Sequence, residues 1–238
     1  MLSLILADSE LEIVPKEIQG HPSVVKNAKN RNKKPSSLLL DANYHHSAIR
    51  KKYLEEVERR GRPDIAHLFA LLALDSILNY EGRLKIYIHT RNNHVIYINP
   101  ETRIPKAYPR FVGLIESLYI NKVIPDKTNP LMRLEENKNL KQLLKEIESD
   151  KIITFSSNSK EEQINIKTYF QNFKEDEKIT CIIGGFPSGD FLSPIEELSS
   201  EIISIYPSPL KTWTVLSEIL VNYENAILRD NNVQKNAK

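Results

Sequence analysis

The sequence predicts one α/β domain built on a mainly parallel sheet, and three observations carry that prediction. Near-continuous apolar runs of strand length stand towards both ends, at Leu2 to Asp8, Lys151 to Ser156 and Thr180 to Ile183; such runs suit strands covered on both faces. Helical patterns alternate with them, as in parallel-sheet proteins. Between the two ends lies a hairpin pattern, which reads as an inserted subdomain spanning residues 44–125. With 238 residues and 40% apolar content the chain can bury a sizeable core. Charged residues make up 27% and nearly cancel at net +2, so only local clustering bears on partners. Cys181 is the only cysteine and sits in an apolar run, which makes it a buried thiol and excludes an internal disulfide. No stretch approaches the roughly 20 apolar residues of a membrane helix, and the protein is expected to be cytoplasmic with no membrane partner.

Taken in order, Leu2 to Asp8 is the first strand. Five basic residues without an acid then fall between Lys26 and Lys34, ahead of Pro35. They predict a solvated, mobile loop whose charges serve either solubility or phosphate contact. Ser37 to Asp41 (SLLLD) reads as a second buried strand. Tyr44 to Arg60 follows a helical pattern carrying Arg50, Lys51, Lys52, Arg59 and Arg60, and stops at Gly61. His45 and His46 have no ligand-spaced partners and read as capping or packing groups. Arg62-Pro63-Asp64 opens the next helix: Pro63 suits its first turn, and the Asp64 carboxylate suits the positive end of its dipole. The apolar run from Ile65 to Leu78 must lie at the centre of the molecule, so Arg62 and Asp64 are mounted on a rigid element.

Leu84 to His89 and Val95 to Asn99 alternate around the polar Arg91-Asn92-Asn93 and form the hairpin. NPETRIPKAYPRF follows at 99–111, with Arg103, Lys106 and Arg110 interleaved with Tyr108 and Phe111. Three prolines keep it from being a regular helix throughout. It is either a proline-rich connector or a shaped loop whose cations grip phosphates while its aromatics stack a base. Residues 125–137 read as loop, Lys138 to Glu148 as a charged helix, Lys151 to Ser156 as a strand, and Asn165 to Phe173 as a polar helix. The strand at Thr180 breaks on Gly184-Gly185, and the run from Ile202 to Tyr206 ends in Pro207-Ser208-Pro209. Both strands thus end in shaped loops at the carboxyl edge of the sheet, where open α/β sheets bind ligands. The last helix starts near Trp213 and ends near Leu228, leaving 229–238 as a disordered tail.

A dinucleotide site is the first idea to test, and it fails. Glycines fall at 184, 185 and 189, with Phe186 where G-x-G-x-x-G needs its second glycine. No P-loop signature replaces it. The whole string tells more: GGFPSGDF, then IISIYPSPLKTWTVLSEIL, resembles the C-terminal half of the SPOUT-class ribosomal-RNA pseudouridine-N1 methyltransferases of small-subunit biogenesis. LLLD, RPD and the NPETRIP loop resemble the same family in the same order, so the likeness covers most of residues 2–228.

The resemblance implies a single SPOUT-like domain over 1–228 whose part from 151 to 228 forms a trefoil knot, with S-adenosyl-L-methionine bent among the knot loops. It places the cofactor at Thr154, at Gly184 and Gly189, and at Ser204, Ile205, Tyr206, Pro207, Ser208 and Pro209. Ile182, Phe186, Leu210 and Trp213 are expected to add an apolar wall around a cationic sulfonium and an adenine. It places ribosomal RNA on Arg62, Arg103, Lys106 and Arg110; Lys106 stands where the family commonly has Arg, which keeps the charge and loses a bidentate fork. Arg62 is expected to stabilise charge developing on the base. Asp64 is the one motif carboxylate that could accept the N1 proton, while the resemblance makes it the support of Arg62. A homodimer is implied; the apolar face of Trp213 to Tyr223 is compatible with packing against a twin, and an internal core contact would look the same in sequence. The alternative reading is an rRNA-binding assembly factor whose role does not depend on methyl transfer.

Overall fold

The computed structural model describes residues 1–159 and 163–235, with side chains described as far as 228. In chain order the elements are β1 (Leu2–Ser9), α1 (Pro22–Asn30), α2 (Ala42–Lys52), α3 (Pro63–Leu74), α4 (Ile77–Tyr80), β2 (Leu84–Thr90), β3 (Val95–Ile98), α5 (Tyr108–Asn121), β4 (Val123–Ile124), β5 (Met132–Glu135), α6 (Leu140–Ile147), β6 (Lys151–Phe155), α7 (Ile166–Tyr169), β7 (Ile179–Gly184), α8 (Ile195–Leu198), β8 (Glu201–Ile203) and α9 (Thr212–Lys235). The strands form one sheet in the order β4-β5-β3-β2-β1-β7-β6-β8. From β2 to β8 neighbours run parallel, as expected; the pairs β2/β3, β3/β5 and β4/β5 are antiparallel. The hairpin therefore extends the common sheet and is no layer apart.

β1 is buried along its whole length because it lies between two parallel neighbours and under helices on both faces. Leu2, Leu4 and Leu6 join the larger core with Phe69 of α3, Ile115 of α5 and Leu216 and Ile219 of α9. Ile5 and Ala7 point the other way, to Leu140 and Leu143 of α6 and to Ile182. This period-two alternation decides which strand residues can reach any site built on the α9 side.

Several expectations are corrected. Leu38 to Asp41 is buried but is no strand of the sheet: Leu39 forms an isolated bridge with Ile13, and Leu38 and Leu40 exchange backbone bonds with Val14 and Glu12. The basic stretch is not a mobile loop. Residues 22–30 are α1, and Arg31 and Lys33 both pair with the fully buried Glu116. The helix expected to reach Arg60 ends at Lys52, followed by a single 3₁₀ turn at Leu54–Glu56. Within 125–137, read as loop, β5 pairs with β3. Of the apolar face from Trp213 to Tyr223, Leu216, Ile219, Leu220 and Tyr223 pack into this chain's own core, the internal contact that the sequence left open beside a twin. The last helix continues to Lys235, past the end expected near Leu228, so residues 229–235 are helical; 236–238 lie outside the described residues. Among the described residues no helix is long and apolar enough to cross a membrane.

Candidate active site

β6, β7 and β8 end side by side, and the loops that leave them enclose a cavity of about 410 Å³. Its floor is Phe155, Ile183 and Ile203, residues from the ends of these strands that point toward the α9 side of the sheet. Its walls are Ser156 to Asn158, Phe186 to Phe191, and Ser204 to Leu210 without Pro207, closed by Thr212 and Val215 of α9. The Thr212 hydroxyl donates to the carbonyl of Gly184 at 2.8 Å and so ties the start of α9 to the end of β7.

Of the residues expected at the cofactor, Gly184, Gly189, Ser204, Ile205, Tyr206, Ser208 and Pro209 line this cavity, as do Phe186 and Leu210. Thr154 and Pro207 do not. Thr154 is fully buried on the opposite face of β6, its hydroxyl 2.6 Å from that of Ser199, and strand alternation keeps it there; Phe155 reaches the cavity in its place. Ile182 likewise belongs to the opposite face. Trp213 packs against the main core and leaves Val215 to line the cavity.

The loop of Phe186 to Asp190 is shaped by close approach. A Cβ on Gly185 would meet Ser9 Cα at 2.6 Å, so β7 and the end of β1 can touch only where that residue is glycine. Gly189 has φ +82°, a left-handed turn that favours glycine.

Two groups that the sequence did not mark hold this loop from below. Asp8, buried at the end of β1, accepts hydrogen bonds from Leu192 N (2.7 Å), Ser193 N (2.9 Å) and Ser193 Oγ (2.8 Å), with His89 Nδ1 3.3 Å from its Oδ1. Burial pushes the Asp8 carboxyl up, but the bonds from His89 and Ser193 outweigh it and hold the carboxyl below its ordinary value. Arg59 lies beneath the loop, paired to Glu10. A readable signal existed for Asp8, an acid at the end of a near-continuous apolar run. Arg59 offered none, since it sits in a basic pattern that reads as a solvated face.

The expected RNA residues lie on a second surface. Arg62 and Asp64 form a bidentate pair, Nε to Oδ1 at 2.8 Å and Nη2 to Oδ2 at 2.7 Å. Donation to Asp64 raises the Arg62 pKa further. Both Asp64 oxygens are engaged in this pair, in the fork geometry that fixes a guanidinium. Beside the pair, Tyr108 donates to Asp41 Oδ2 at 2.6 Å, and Asp41 N donates to Nδ1 of His45. Burial pushes the His45 pKa down to about 4. Arg103, Lys106 and Arg110 are exposed. Arg110 stands on the first turn of α5, and the loop that carries Arg103 and Lys106 is pinned by its neighbours: Thr102 donates to the carbonyl of Leu131, Ile104 is buried, and the His67 ring bonds the carbonyl of Pro105 at 2.8 Å. Phe111, expected to offer a base a stacking surface, is fully buried and stacks on His67 with ring centroids 4.5 Å apart.

Comparison with known proteins places the chain in one family. A model of the EMG1/NEP1 methyltransferase family matches residues 4–224. The chain is 51% identical to the ribosomal RNA small subunit methyltransferase Nep1 of Thermococcus sibiricus over 228 residues, covering 96% of this chain and 100% of that protein. It is 49% identical to the Nep1 of Methanothrix thermoacetophila, covering 96% and 97%. A crystal structure of Archaeoglobus fulgidus Nep1 bound to S-adenosylhomocysteine superposes with a TM-score of 0.81 at 32% identity, covering 94% of this chain and 97% of that one. The architecture is that of the SPOUT class. On sequence along nearly its whole length and on fold, the chain belongs to the EMG1/NEP1 methyltransferase family.

Proposed function

We propose that this protein methylates N1 of a pseudouridine in small-subunit ribosomal RNA, with S-adenosyl-L-methionine as donor, during ribosome biogenesis. The observation that carries the reading is the cavity over the ends of β6, β7 and β8, in a chain whose likeness to the S-adenosylhomocysteine-bound Nep1 covers 94% of its length. The residues present fit such a ligand. Apolar Phe155, Ile183, Phe186 and Leu210 suit an adenine, loop backbone offers hydrogen bonds to its edge, and among the described residues Asp190 is the one charged side chain in the cavity's lining. When bound, S-adenosylmethionine supplies an activated methyl group.

The chain's own part is to hold the base in line with that methyl, which is where catalysis of a displacement at carbon gains most. Arg103 and Lys106 on a pinned loop and Arg110 on the first turn of α5, all exposed, grip phosphates without reading sequence. Arg62, fixed by Asp64, meets the target base and stabilises the charge that develops as N1 loses its proton. The target base must leave any stack to reach such a site, which favours a hairpin loop. The same proposal includes the domain plan of a 1–228 unit with its cofactor part knotted over 151–228, a cytoplasmic location, and a homodimer, which light scattering in solution tests directly.

The experiment is transfer of labelled methyl from S-adenosylmethionine to two hairpins that differ only in carrying pseudouridine or uridine at the loop target. Label on the pseudouridine hairpin alone is the expected result. Label on neither, with tight hairpin binding retained, replaces this reading with that of an assembly factor independent of methyl transfer.

A further inference from the structure

Arg59 and Arg60 end the same basic stretch and point to opposite sides. Arg60 is bonded to Glu12 and Glu56 and lies flat on Tyr53. Arg59 turns beneath the cavity's second loop and engages it through Nε, Nη1 and the face of its guanidinium. Its Nε donates to Glu10 Oε1 at 2.6 Å and its Nη1 to the carbonyl of Asp190 at 2.5 Å, while Cζ lies 4.1 Å from the centroid of the Phe186 ring. Phe186 in turn meets Phe191 edge-on at 5.2 Å, and both rings line the cavity. The left-handed turn at Gly189 is cast around the same group, since a Cβ there would come within 3.1 Å of Arg59 Nη1. Ser188 adds a bond to the carbonyl of Glu58.

We infer that Arg59 is a positioning residue of the cofactor cavity: its guanidinium sets the angle of the Phe186 ring and the path of the loop from Phe186 to Asp190. A structural ion pair alone does not account for the arrangement. Glu10 is already neutralised by Arg91, at 2.6 Å. An ammonium could keep the pair with Glu10 but could not at once donate to the Asp190 carbonyl and lie flat on the ring, which requires a planar fork. The stretch from Glu58 to Asp64 thereby carries both a support of the cofactor loop and the Arg62 pair, placing the two surfaces of the site on one short length of chain.

This inference rests on reading the cavity as the S-adenosylmethionine site, and its test separates the two. Binding of S-adenosylhomocysteine and of the pseudouridine hairpin is measured by titration calorimetry for the unaltered protein and for Arg59→Lys. The expected result is S-adenosylhomocysteine binding weakened roughly tenfold, the size of one lost charge-assisted contact, with hairpin affinity within about twofold. In turnover, KM for S-adenosylmethionine rises by the same factor while kcat at saturation holds within about twofold. A lower thermal midpoint with unchanged S-adenosylhomocysteine affinity would leave Arg59 a structural group only and overturn the inference. An unaltered protein that binds no S-adenosylhomocysteine overturns the reading of the cavity itself. If Arg59→Lys is insoluble, Arg59→Gln is judged by the same criterion, since it leaves Glu10 paired with Arg91.

Discussion

Replacing Asp8 with Asn tests how the cofactor loop is held, because the substitution keeps the shape and removes the charge. Asp8 Oδ2 accepts two backbone N–H groups, from Leu192 and Ser193, and Oδ1 accepts from the Ser193 hydroxyl. An amide can still accept the two backbone bonds and can turn its NH₂ to Ser193, so no donor is orphaned. What is lost is the difference between charged and neutral hydrogen bonds, about 1 kcal/mol for each backbone donor, or about 2 kcal/mol together. The lowered pKa of Asp8 says that its bonds outweigh its burial cost, so relief of desolvation does not cancel the loss. For a chain of this size about 2 kcal/mol corresponds to a fall of about 4–8 °C in Tm.

The assay is urea unfolding at pH 7 with thermal melts alongside. A folded-state pKa below the unfolded one means stability that is present above the ordinary carboxylate value of 3.8 and lost as pH falls through the lower, folded value. The gap between wild type and Asp8→Asn is therefore constant at neutral pH and narrows only below 3.8. A gap smaller than about 0.5 kcal/mol at pH 7, the range of ordinary surface changes, would refute the account of this loop.

Asp64→Asn should lower methyl transfer at least tenfold through loss of Arg62 orientation. Because the pair is about one-third exposed, it should cost no more than about 1 kcal/mol of stability, and an unchanged kcat/KM would free Arg62 of its supposed need for a partner. Arg103→Ala should weaken hairpin binding and flatten its salt dependence by about one counterion, with S-adenosylhomocysteine binding intact by calorimetry. Gly185→Ala forces a methyl against the Ser9 backbone and should destabilise by about 1–3 kcal/mol, whereas Gly184→Ala meets only the Phe186 ring and should show mainly as weaker cofactor binding; equal effects on both readouts would count against this division. His45 is held neutral by burial with its pKa down to about 4. Stability should therefore fall as pH drops from 6.5 toward that value, and His45→Asn should flatten the slope in unfolding curves across that window.

The hairpin, β1 and the strands at Lys151 and Thr180 were legible because period-two alternation, unbroken apolar runs and Gly or Pro punctuation are local properties of the chain. So were the loops that leave β7 and β8, since a glycine pair and a Pro-Ser-Pro have few other uses at strand ends. SLLLD carried the same local signature and misled. Its leucines are buried, yet a strand of the sheet needs an edge to pair with, and at Leu39 the chain meets only Ile13. Pairing between distant segments also decided that MRLE is a strand within a stretch that reads as loop. The side of the sheet on which the cavity opens excluded Thr154 in favour of Phe155, a matter of strand register that motif likeness does not carry.

By itself, then, the sequence determined the fold class, the strands at both ends and the hairpin between them, the glycines and prolines that shape the loops, and the motifs that mark the family. Tertiary structure alone decided the fate of the charges. Arg31 on Glu116, Arg59 on Glu10 and Asp8 beneath Ser193 are pairs separated by 85, 49 and 185 residues. A buried ion is tolerable only where its partner arrives from elsewhere in the fold, so no local pattern tells such a residue from one that faces water.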